Sequence, residues 1–247
     1  MSELELVQPQ WPAPASVHCV VTTRTGGHSG APYDSLNLAR HVGDSQTSVG
    51  KNRGLLQSRF PDIEYWQWLN QVHGQQVHRV QSVSDELTGD GVVTDSERIA
   101  CCILTADCLP VLICNQDGTE VGAAHGGWRG LAAGILHNTV AAFESPPTEL
   151  MAWLGPAIGP CHFEVGAEVR EAFLNSDDSS AMQSQFEALG NNKFLANLYG
   201  IARQQLSIAG VDRVYGGNFC THCDATRFFS YRRDGESGRM LSAIYLG

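Results

Sequence analysis

The sequence is poor in positive charge and in long apolar runs. Its 16 Lys and Arg residues are outnumbered by 26 Asp and Glu residues, for a formal net charge of −10. A nucleic-acid-binding face needs basic side chains against the phosphates, so this balance argues against a nucleic-acid partner. No apolar run approaches the length of a membrane span, and the acidic N-terminal residues have no signal-peptide character. We therefore expect a cytoplasmic protein without a membrane partner.

The eight cysteines lack the spacing of a disulfide framework. Most lie in apolar, strand-like runs, as expected of small buried hydrophobic residues in a reducing compartment. Cys220-Thr-His-Cys223 is a CxxC pair, but no second matching pair occurs at the usual zinc-site spacing, and no clear βαβ pattern surrounds it. We therefore do not expect this pair to be a metal or redox centre.

The chain also lacks internal repeats, low-complexity tracts and long linkers, so we expect residues 1–247 to form a single domain. Apolar runs typical of strands occur at Val17–Val21, Gly91–Val93, Cys101–Thr105, Leu109–Cys114, Glu120–Ala124 and Leu150–Leu154. Helical periodicity occurs at Leu131–Phe143, Val165–Leu174 and Phe194–Ile208. The polar segment Asn175–Gln185 is typical of a surface loop. This mixture predicts a mixed sheet with flanking helices.

Three residues carry the strongest chemical signal, and each lies in a distinctive motif. They are His73 in Asn70-Gln-Val-His-Gly74, Cys108 in Thr105-Ala-Asp-Cys-Leu-Pro110, and His125 in Ala123-Ala-His-Gly-Gly-Trp-Arg-Gly130. A turn at Asn115-Gln-Asp-Gly118 predicts a hairpin that brings Cys108 and His125 to the same end. Two imidazoles and one thiolate are typical zinc ligands that leave a fourth position open. Asp107 could orient an imidazole or accept a proton beside them.

Two other interpretations of these residues stay open. In the first, Cys108 is the nucleophile and His125 the base of a metal-free cysteine hydrolase or amidase. In the second, the protein is a non-enzymatic, zinc-binding regulatory protein whose metal is structural. That site would need a fourth ligand, for which Cys161 and His162 are the candidates.

Several arginines lie in glycine-rich or aromatic loop segments of a chain with few basic residues. Guanidinium groups in such loops can bind a phosphate or the hydroxyl groups of a small substrate, although solubilising surface arginines are an alternative. The candidates are Arg24, Arg129, Arg232 and Arg233.

A series of motifs in order along the chain resembles one family. The motifs are Thr22-Thr-Arg-Thr-Gly-Gly27, Ser35-Leu-Asn-Leu38, Val42-Gly-Asp44, Asn52-Arg53, the three motifs of His73, Cys108 and His125, Gly155-Pro-Ala-Ile-Gly-Pro-Cys161, Glu164-Val-Gly166 and Phe229-Ser-Tyr-Arg-Arg233. The family is the YfiH or laccase-domain family, also called the polyphenol oxidase family or peptidoglycan editing factor. The resemblance covers almost the whole chain, from near residue 17 to Leu246.

The resemblance implies an α+β fold, with mixed β-sheets packed together and flanked by helices. It implies a zinc-dependent purine nucleoside enzyme, with copper as an alternative metal. Such an enzyme phosphorolyses adenosine, inosine and 5′-methylthioadenosine, and deaminates adenosine to inosine. Its partners are purine nucleosides and phosphate, and we expect a monomer. The name laccase fits poorly, because nine scattered histidines do not supply the paired motifs of a multicopper site.

The resemblance also assigns residues. The family's zinc ligands correspond to His73, Cys108 and His125, and its basic loop position corresponds to Arg24. We take Cys108, His125, Asp107 and Arg24 as candidate catalytic residues, and Arg24, Arg129 and Arg232 as candidate substrate-binding residues. Editing of peptidoglycan precursors, which the family name suggests, fits the cysteine hydrolase alternative.

Overall fold

The protein is described here by a computed structural model that covers residues 4–82, 87–175 and 180–247. The strands are β1 (Val17–Val21), β2 (Tyr65–Gln67), β3 (Leu69–Asn70), β4 (Val77–Arg79), β5 (Leu87–Thr88), β6 (Gly91–Thr94), β7 (Ile99–Thr105), β8 (Leu109–Asn115), β9 (Val121–Gly126), β10 (Leu150–Leu154), β11 (Glu164–Gly166), β12 (Phe186–Gly190), β13 (Lys193–Ala196), β14 (Arg213–Gly216) and β15 (Met240–Leu246). The helices are α1 (Gln46–Arg59), α2 (Trp128–Ala133), α3 (Ile135–Ala141), α4 (Ala167–Leu174), α5 (Ser180–Gln183), α6 (Leu198–Ile208) and α7 (Tyr231–Asp234).

Two mixed sheets form the centre of the molecule. The first has the order β1-β15-β7-β2 and the second the order β14-β10-β8-β9-β6-β4. In the first sheet β1, β15 and β7 are antiparallel neighbours and β2 pairs parallel with β7. Because β1 and β15 come from opposite ends of the chain, the first sheet joins the two termini. A small sheet, β11-β13-β12, and the pair β3-β5 lie outside these two.

Side-chain alternation along the strands produces four layers. On β7, Cys101 and Ile103 pack between the two sheets with Leu112 and Trp153 of the second sheet. Their neighbours on β7 point to the opposite face, where they pack with Leu56 of α1. The outer face of the second sheet packs against α3, α4 and α6. Both central sheets are therefore covered on both faces, which explains why β7, β8, β9 and β10 are continuously buried.

The α+β architecture with packed mixed sheets is confirmed, and so are the central strands. The predicted helix Leu131–Phe143 was wrong in one respect, because Gly134 adopts a left-handed conformation (φ 95°) and divides it into α2 and α3. The predicted helix Phe194–Ile208 begins only at Leu198, because the preceding residues pair with β12 as a strand. Asn197 caps α6 by accepting the N–H of Gly200.

Two further segments differ from the sequence prediction. Within the predicted loop Asn175–Gln185, residues 176–179 lie outside the described residues and Ser180–Gln183 form the short helix α5. Helix α1 was not predicted, because its few buried side chains do not form a recognisable apolar stripe. Across residues 4–82, 87–175 and 180–247, no helix has the length and apolar character that a membrane crossing requires.

Candidate active site

Cys108 lies where the chain passes from the first central sheet to the second. Strand β7 ends at Thr105 and β8 begins at Leu109, so three residues make the crossing. Asp107 has a left-handed backbone (φ 84°), which is uncommon outside glycine and turns the chain sharply before Cys108. A strained residue of this kind next to a reactive side chain is typical of functional sites.

His125 lies opposite this crossing, as the hairpin predicted. Strands β8 and β9 are antiparallel neighbours, with Leu109 paired to Gly126 and Pro110 paired to His125. The hairpin therefore returns His125 to the end where Cys108 lies. The prediction for this pair of strands is confirmed.

His73 reaches the same place from a different part of the chain. It lies in the loop after β3 and has a left-handed backbone (φ 58°). Gln71 fixes this loop to the first sheet, because its side chain donates to the Leu104 carbonyl (2.9 Å) and accepts from the Leu104 N–H (2.8 Å). Strand β2 pairs with β7 only as far as Cys101, and the Gln71 side-chain amide makes the hydrogen bonds of a neighbouring strand at Leu104.

The three predicted side chains form a compact cluster. The Cys108 Sγ atom lies 3.8 Å from His73 Nε2, and one donor atom from each of the three residues lies within 4.8 Å of the others. The rings of His73 and His125 meet edge to face at 4.7 Å. Gly127 allows this approach, because a Cβ there would lie 2.8 Å from His73 Cδ2 and 3.2 Å from Cys108 Sγ.

Asp90 contacts both the His125 ring and the backbone of the His73 loop. Its carboxylate lies 2.8 Å from His125 Nδ1 and is fully buried. It also accepts the backbone N–H groups of Val72 (3.2 Å), His73 (2.9 Å) and Gly74 (2.7 Å). One carboxylate therefore orients the His125 ring and holds the loop that carries His73.

The electrostatics of the cluster favour a thiolate beside a protonated imidazole. Burial raises the pKa of the Cys108 thiol, but the charge of His125 and hydrogen bonds from His125 and His73 outweigh it and lower this pKa to about 6. Burial lowers the pKa of His125, but Cys108 and Asp90 outweigh it and raise this pKa to about 9. Burial likewise opposes ionisation of Asp90, yet the hydrogen bonds from His125 and the loop N–H groups lower its pKa below the usual range.

The cluster opens into a cavity of about 460 Å³, a size suited to a small molecule. Besides His73, Cys108 and His125, its wall includes polar and aromatic side chains from the segments of His73 and Cys108 and from four further segments. These are His41, Gln71, Asp107, Phe163, Tyr231, Arg232 and Arg239. The cavity thus combines soft metal ligands, two guanidinium groups and two aromatic rings.

Asp107 lines the cavity, but both oxygens of its carboxylate accept hydrogen bonds. Thr221 Oγ1 donates to one oxygen at 2.5 Å. Ser230 Oγ (3.1 Å) and the Arg232 N–H (2.7 Å) donate to the other. Asp107 therefore connects the turn at Cys108 to the loop that contains Thr221 and to helix α7, which contains Arg232.

The predicted arginines separate into two groups. Arg232 lines the cavity, and its side chain donates to the carbonyl of Glu164 at 2.8 Å. Arg24 lies at a separate surface cavity, where its guanidinium contacts the Phe229 ring (4.7 Å to the centroid) and donates to the Asp34 carbonyl. Arg129 extends over the Trp128 ring on α2. Of the predicted arginines, the described cavity wall contains Arg232 but neither Arg24, Arg129 nor Arg233.

Sequence reasoning missed the carboxylate of Asp90 and the guanidinium of Arg239 at this site. Asp90 lies between two glycines just before β6, and this Gly-Asp-Gly turn is its only local signal. Arg239 precedes β15, contacts the Tyr231 ring at 5.8 Å and lines the cavity. Its partial burial lowers the pKa of its guanidinium, a cost that a bound anion would offset.

Sequence comparisons relate this chain to known proteins. A family profile described as multi-copper polyphenol oxidoreductase laccase matches residues 18–247. The chain belongs to this laccase-domain family. It is 46% identical over 243 residues to the purine nucleoside phosphorylase YfiH of Escherichia coli, covering 98% of this chain and 99% of the relative. It is 48% identical over 238 residues to a purine nucleoside phosphorylase of Pseudomonas aeruginosa, covering 96% and 97%.

The fold is similar to that of solved structures. A crystal structure of a Neisseria meningitidis protein matches 98% of each chain with a TM-score of 0.93 and 47% sequence identity. The names of the curated relatives support an enzyme, and the Cys–His cluster could hold a metal ion.

Proposed function

We propose that this protein is a zinc-dependent purine nucleoside enzyme. Its substrates would be adenosine, inosine and 5′-methylthioadenosine, which it phosphorolyses, and adenosine, which it also deaminates. It would act as a single-domain, cytoplasmic monomer. The observation that carries the proposal is the three-donor cluster of His73, Cys108 and His125, which opens into a cavity of about 460 Å³ that also holds Arg232 and Arg239. The relatives named purine nucleoside phosphorylase supply the substrate class.

The donor set fits a zinc ion. Zinc–sulfur and zinc–nitrogen bonds of about 2.3 and 2.0 Å in a tetrahedron place sulfur and nitrogen about 3.5 Å apart. The Cys108 Sγ to His73 Nε2 distance is 3.8 Å. Asp90 occupies His125 Nδ1 and so directs Nε2 of that ring towards the cluster. A zinc ion there would supply Lewis acidity to the bound substrate.

For phosphorolysis, the protein's own residues bind and orient the reactants. Arg232 and Arg239 would hold inorganic phosphate, whose oxygen attacks C1′ of the ribose. The bond from C1′ to the purine nitrogen breaks, and the purine leaves with the electron pair and takes up a proton. Tyr231 and Phe163 would provide an apolar wall for the purine ring.

For deamination, a water molecule replaces the amino group at C6 of adenosine and ammonia leaves. This reaction needs a group that transfers a proton from the water to the leaving amine. Asp107 is the predicted shuttle and stays a prediction. Its hydrogen bonds to Thr221, Ser230 and Arg232 support a second role, in which it positions Arg232 at the cavity.

Chromatographic product analysis tests the proposal. Adenosine is incubated with protein of measured zinc content, with and without phosphate, beside the His125→Ala variant. We expect phosphate-dependent adenine and ribose 1-phosphate, and phosphate-independent inosine, both lost in the variant. Absence of every product from folded, zinc-loaded protein would overturn the proposal.

The same electrostatics support a second candidate function, a cysteine hydrolase or amidase acting on peptidoglycan precursors. The lowered pKa of Cys108 and the raised pKa of His125 describe a thiolate–imidazolium pair. This function predicts rapid alkylation of Cys108 in metal-free protein and amidase activity that survives chelators. Complete dependence of turnover on added zinc would exclude it.

The third interpretation, a closed structural zinc site, finds less support at this cluster. Its fourth ligand was to be Cys161 or His162. In the described part of the chain, these two residues group instead with Cys220 and Cys223.

A further inference from the structure

A second cluster of soft metal ligands lies where the loop after β10 meets the loop after β14. It consists of Cys161, His162, Cys220 and Cys223, and one donor atom from each lies within 4.8 Å of all the others. The spacing of Cys220 and Cys223 alone does not predict this site, because the sequence holds no second CxxC pair at the usual distance. The other two ligands are the adjacent residues Cys161 and His162, which only the fold brings next to Cys220 and Cys223.

The distances within the cluster agree with tetrahedral zinc. Zinc–sulfur bonds of about 2.3 Å in a tetrahedron separate two sulfur atoms by about 3.8 Å. Cys161 Sγ lies 3.8 Å from Cys220 Sγ and 3.7 Å from Cys223 Sγ. His162 Nδ1 lies 3.2 Å from Cys161 Sγ and 3.3 Å from Cys223 Sγ. A disulfide would instead need two sulfur atoms about 2.05 Å apart, and all three cysteines are free thiols.

The backbone around the cluster is arranged for thiolate ligands. The Gly159 N–H donates to Cys220 Sγ at 3.3 Å, and such a bond favours the charged form of the sulfur. A Cβ at Gly159 would lie 3.2 Å from this sulfur, so glycine permits the approach. The Thr221 N–H donates to the Ala157 carbonyl at 3.0 Å, which joins the two loops directly beside the ligands.

We propose that Cys161, His162, Cys220 and Cys223 form a second, structural metal site that binds zinc or a similar borderline-soft divalent cation. Three thiolates and one imidazole make a closed set of four ligands, the arrangement of structural zinc sites. The site goes beyond the proposed nucleoside chemistry, because none of its ligands lines the cavity described above.

The site would fix one wall of the active-site cavity. Thr221, which lies between two ligands, donates to Asp107 beside Cys108. The Arg232 side chain donates to the carbonyls of His162 (3.4 Å) and Glu164 (2.8 Å). Metal binding would therefore restrain Asp107 and Arg232 without contacting substrate.

Metal counting with Cys108→Ala protein tests this second site independently of nucleoside turnover. The variant removes one ligand of the first cluster and leaves all four ligands of the second. We expect two metal ions per chain in the wild-type protein and one in Cys108→Ala protein. After cobalt substitution, the thiolate charge-transfer band of Cys108→Ala protein should correspond to three thiolates, whereas a remnant of the first cluster would contribute none.

Two further variants assign the retained ion. Adding Cys161→Ser and Cys223→Ser to Cys108→Ala should remove it. Adding His222→Ala instead is the matched control and should leave it, because His222 stacks on His162 at 3.9 Å but is not a member of the cluster. The proposal is overturned if Cys108→Ala protein retains no metal, or if the intact mass of unreduced protein is lower by two hydrogens, which would show a disulfide.

Discussion

His125 Nδ1 and Asp90 Oδ1 lie 2.8 Å apart, in a position where both side chains are almost completely shielded from solvent. This contact fixes which ring nitrogen of His125 faces Cys108. Asp90 also accepts three backbone N–H groups of the loop that carries His73. The carboxylate thus couples two ligands that are 52 positions apart in the chain (125 − 73).

We expect Asp90→Asn to weaken metal binding by about 10- to 100-fold, the usual effect of losing a carboxylate behind a ligating imidazole. The Asn side chain has one acceptor oxygen, so it cannot accept the hydrogen bonds from both His125 and the backbone N–H groups of the His73 loop. Competition with a chromophoric chelator measures the affinity. Asp117→Asn, in the exposed β8–β9 turn, is the control and should bind metal like the wild type. Equal affinity in both variants would refute this role of Asp90.

Gly127→Ala should disrupt the first cluster through a steric effect alone. Its Cβ would lie 2.8 Å from His73 Cδ2 and 3.2 Å from Cys108 Sγ, so one ligand must move. We expect one metal ion per chain fewer and loss of nucleoside turnover. Gly50→Ala is the control, since a Cβ there meets nothing within 4 Å. In the interior of α1 this control should raise stability by about 0.5–1 kcal/mol, measured by urea unfolding.

Arg239→Ala should raise the KM for phosphate by about 10- to 100-fold, because a hydrogen bond between charged groups contributes about 1.5–3 kcal/mol. The comparison variant is Arg170→Ala on α4, whose guanidinium extends over Phe194. Initial rates at varied phosphate, with nucleoside saturating, give the KM for phosphate of both variants. An unchanged KM for phosphate in Arg239→Ala would remove this residue from the proposed binding site. Arg24→Ala and Arg129→Ala, measured in the same way, test the two predicted arginines that lie away from the cavity wall.

Glu120 should make the protein sensitive to acid. Burial raises the pKa of this carboxyl, but hydrogen bonds from the Ser145 hydroxyl, two backbone N–H groups and Arg79 outweigh it and lower the pKa to about 2. As the pH falls, Glu120 takes up a proton in the unfolded state before it does so in the folded state. Its contribution to the free energy of unfolding is therefore complete above the ordinary pKa of 4.5 and is lost as the pH falls towards 2.

Between pH 5 and pH 3 this loss amounts to about 2 kcal/mol of unfolding free energy. Glu120→Gln should reduce the difference between the two pH values by that amount, while also lowering stability at pH 7. Glu187→Gln, on the exposed side of β12, is the control and should keep the wild-type difference. Urea unfolding at each pH supplies the data. A pH dependence in Glu120→Gln equal to that of the wild type would contradict the argument.

Local sequence was sufficient for the parts of the fold that depend on neighbouring residues. Strands β8 and β9 are apolar runs separated by a turn, so their pairing follows from chain connectivity. Cys108 and His125 lie at the two ends of this hairpin, and their proximity was therefore predictable. The break in the predicted helix Leu131–Phe143 could not be predicted in the same way. A glycine can continue a helix, and only the structure shows that Gly134 adopts a left-handed conformation (φ 95°).

Tertiary structure decided the contacts between residues that lie in distant loops. His73, Asp90 and Arg239 reach the site from three separate segments, and no spacing rule connects them to Cys108. The pairing of Cys161-His162 with Cys220 and Cys223 likewise depends on the approach of two distant loops. The arginines illustrate the same limit, because Arg24 and Arg232 were both predicted to bind substrate but lie at different cavities.

The sequence by itself determined the chemical types of the ligands, the central strands and the family. Those properties follow from side-chain chemistry and from local alternation of apolar residues. The hairpin predicted that Cys108 and His125 meet, but only the tertiary structure decided which of the other cysteines and histidines join them or form the second cluster. The sheets pack because their apolar faces are buried, and this packing does not depend on where the ligands lie in the sequence. It brings strand ends and loops together, and the polar side chains that they carry meet there.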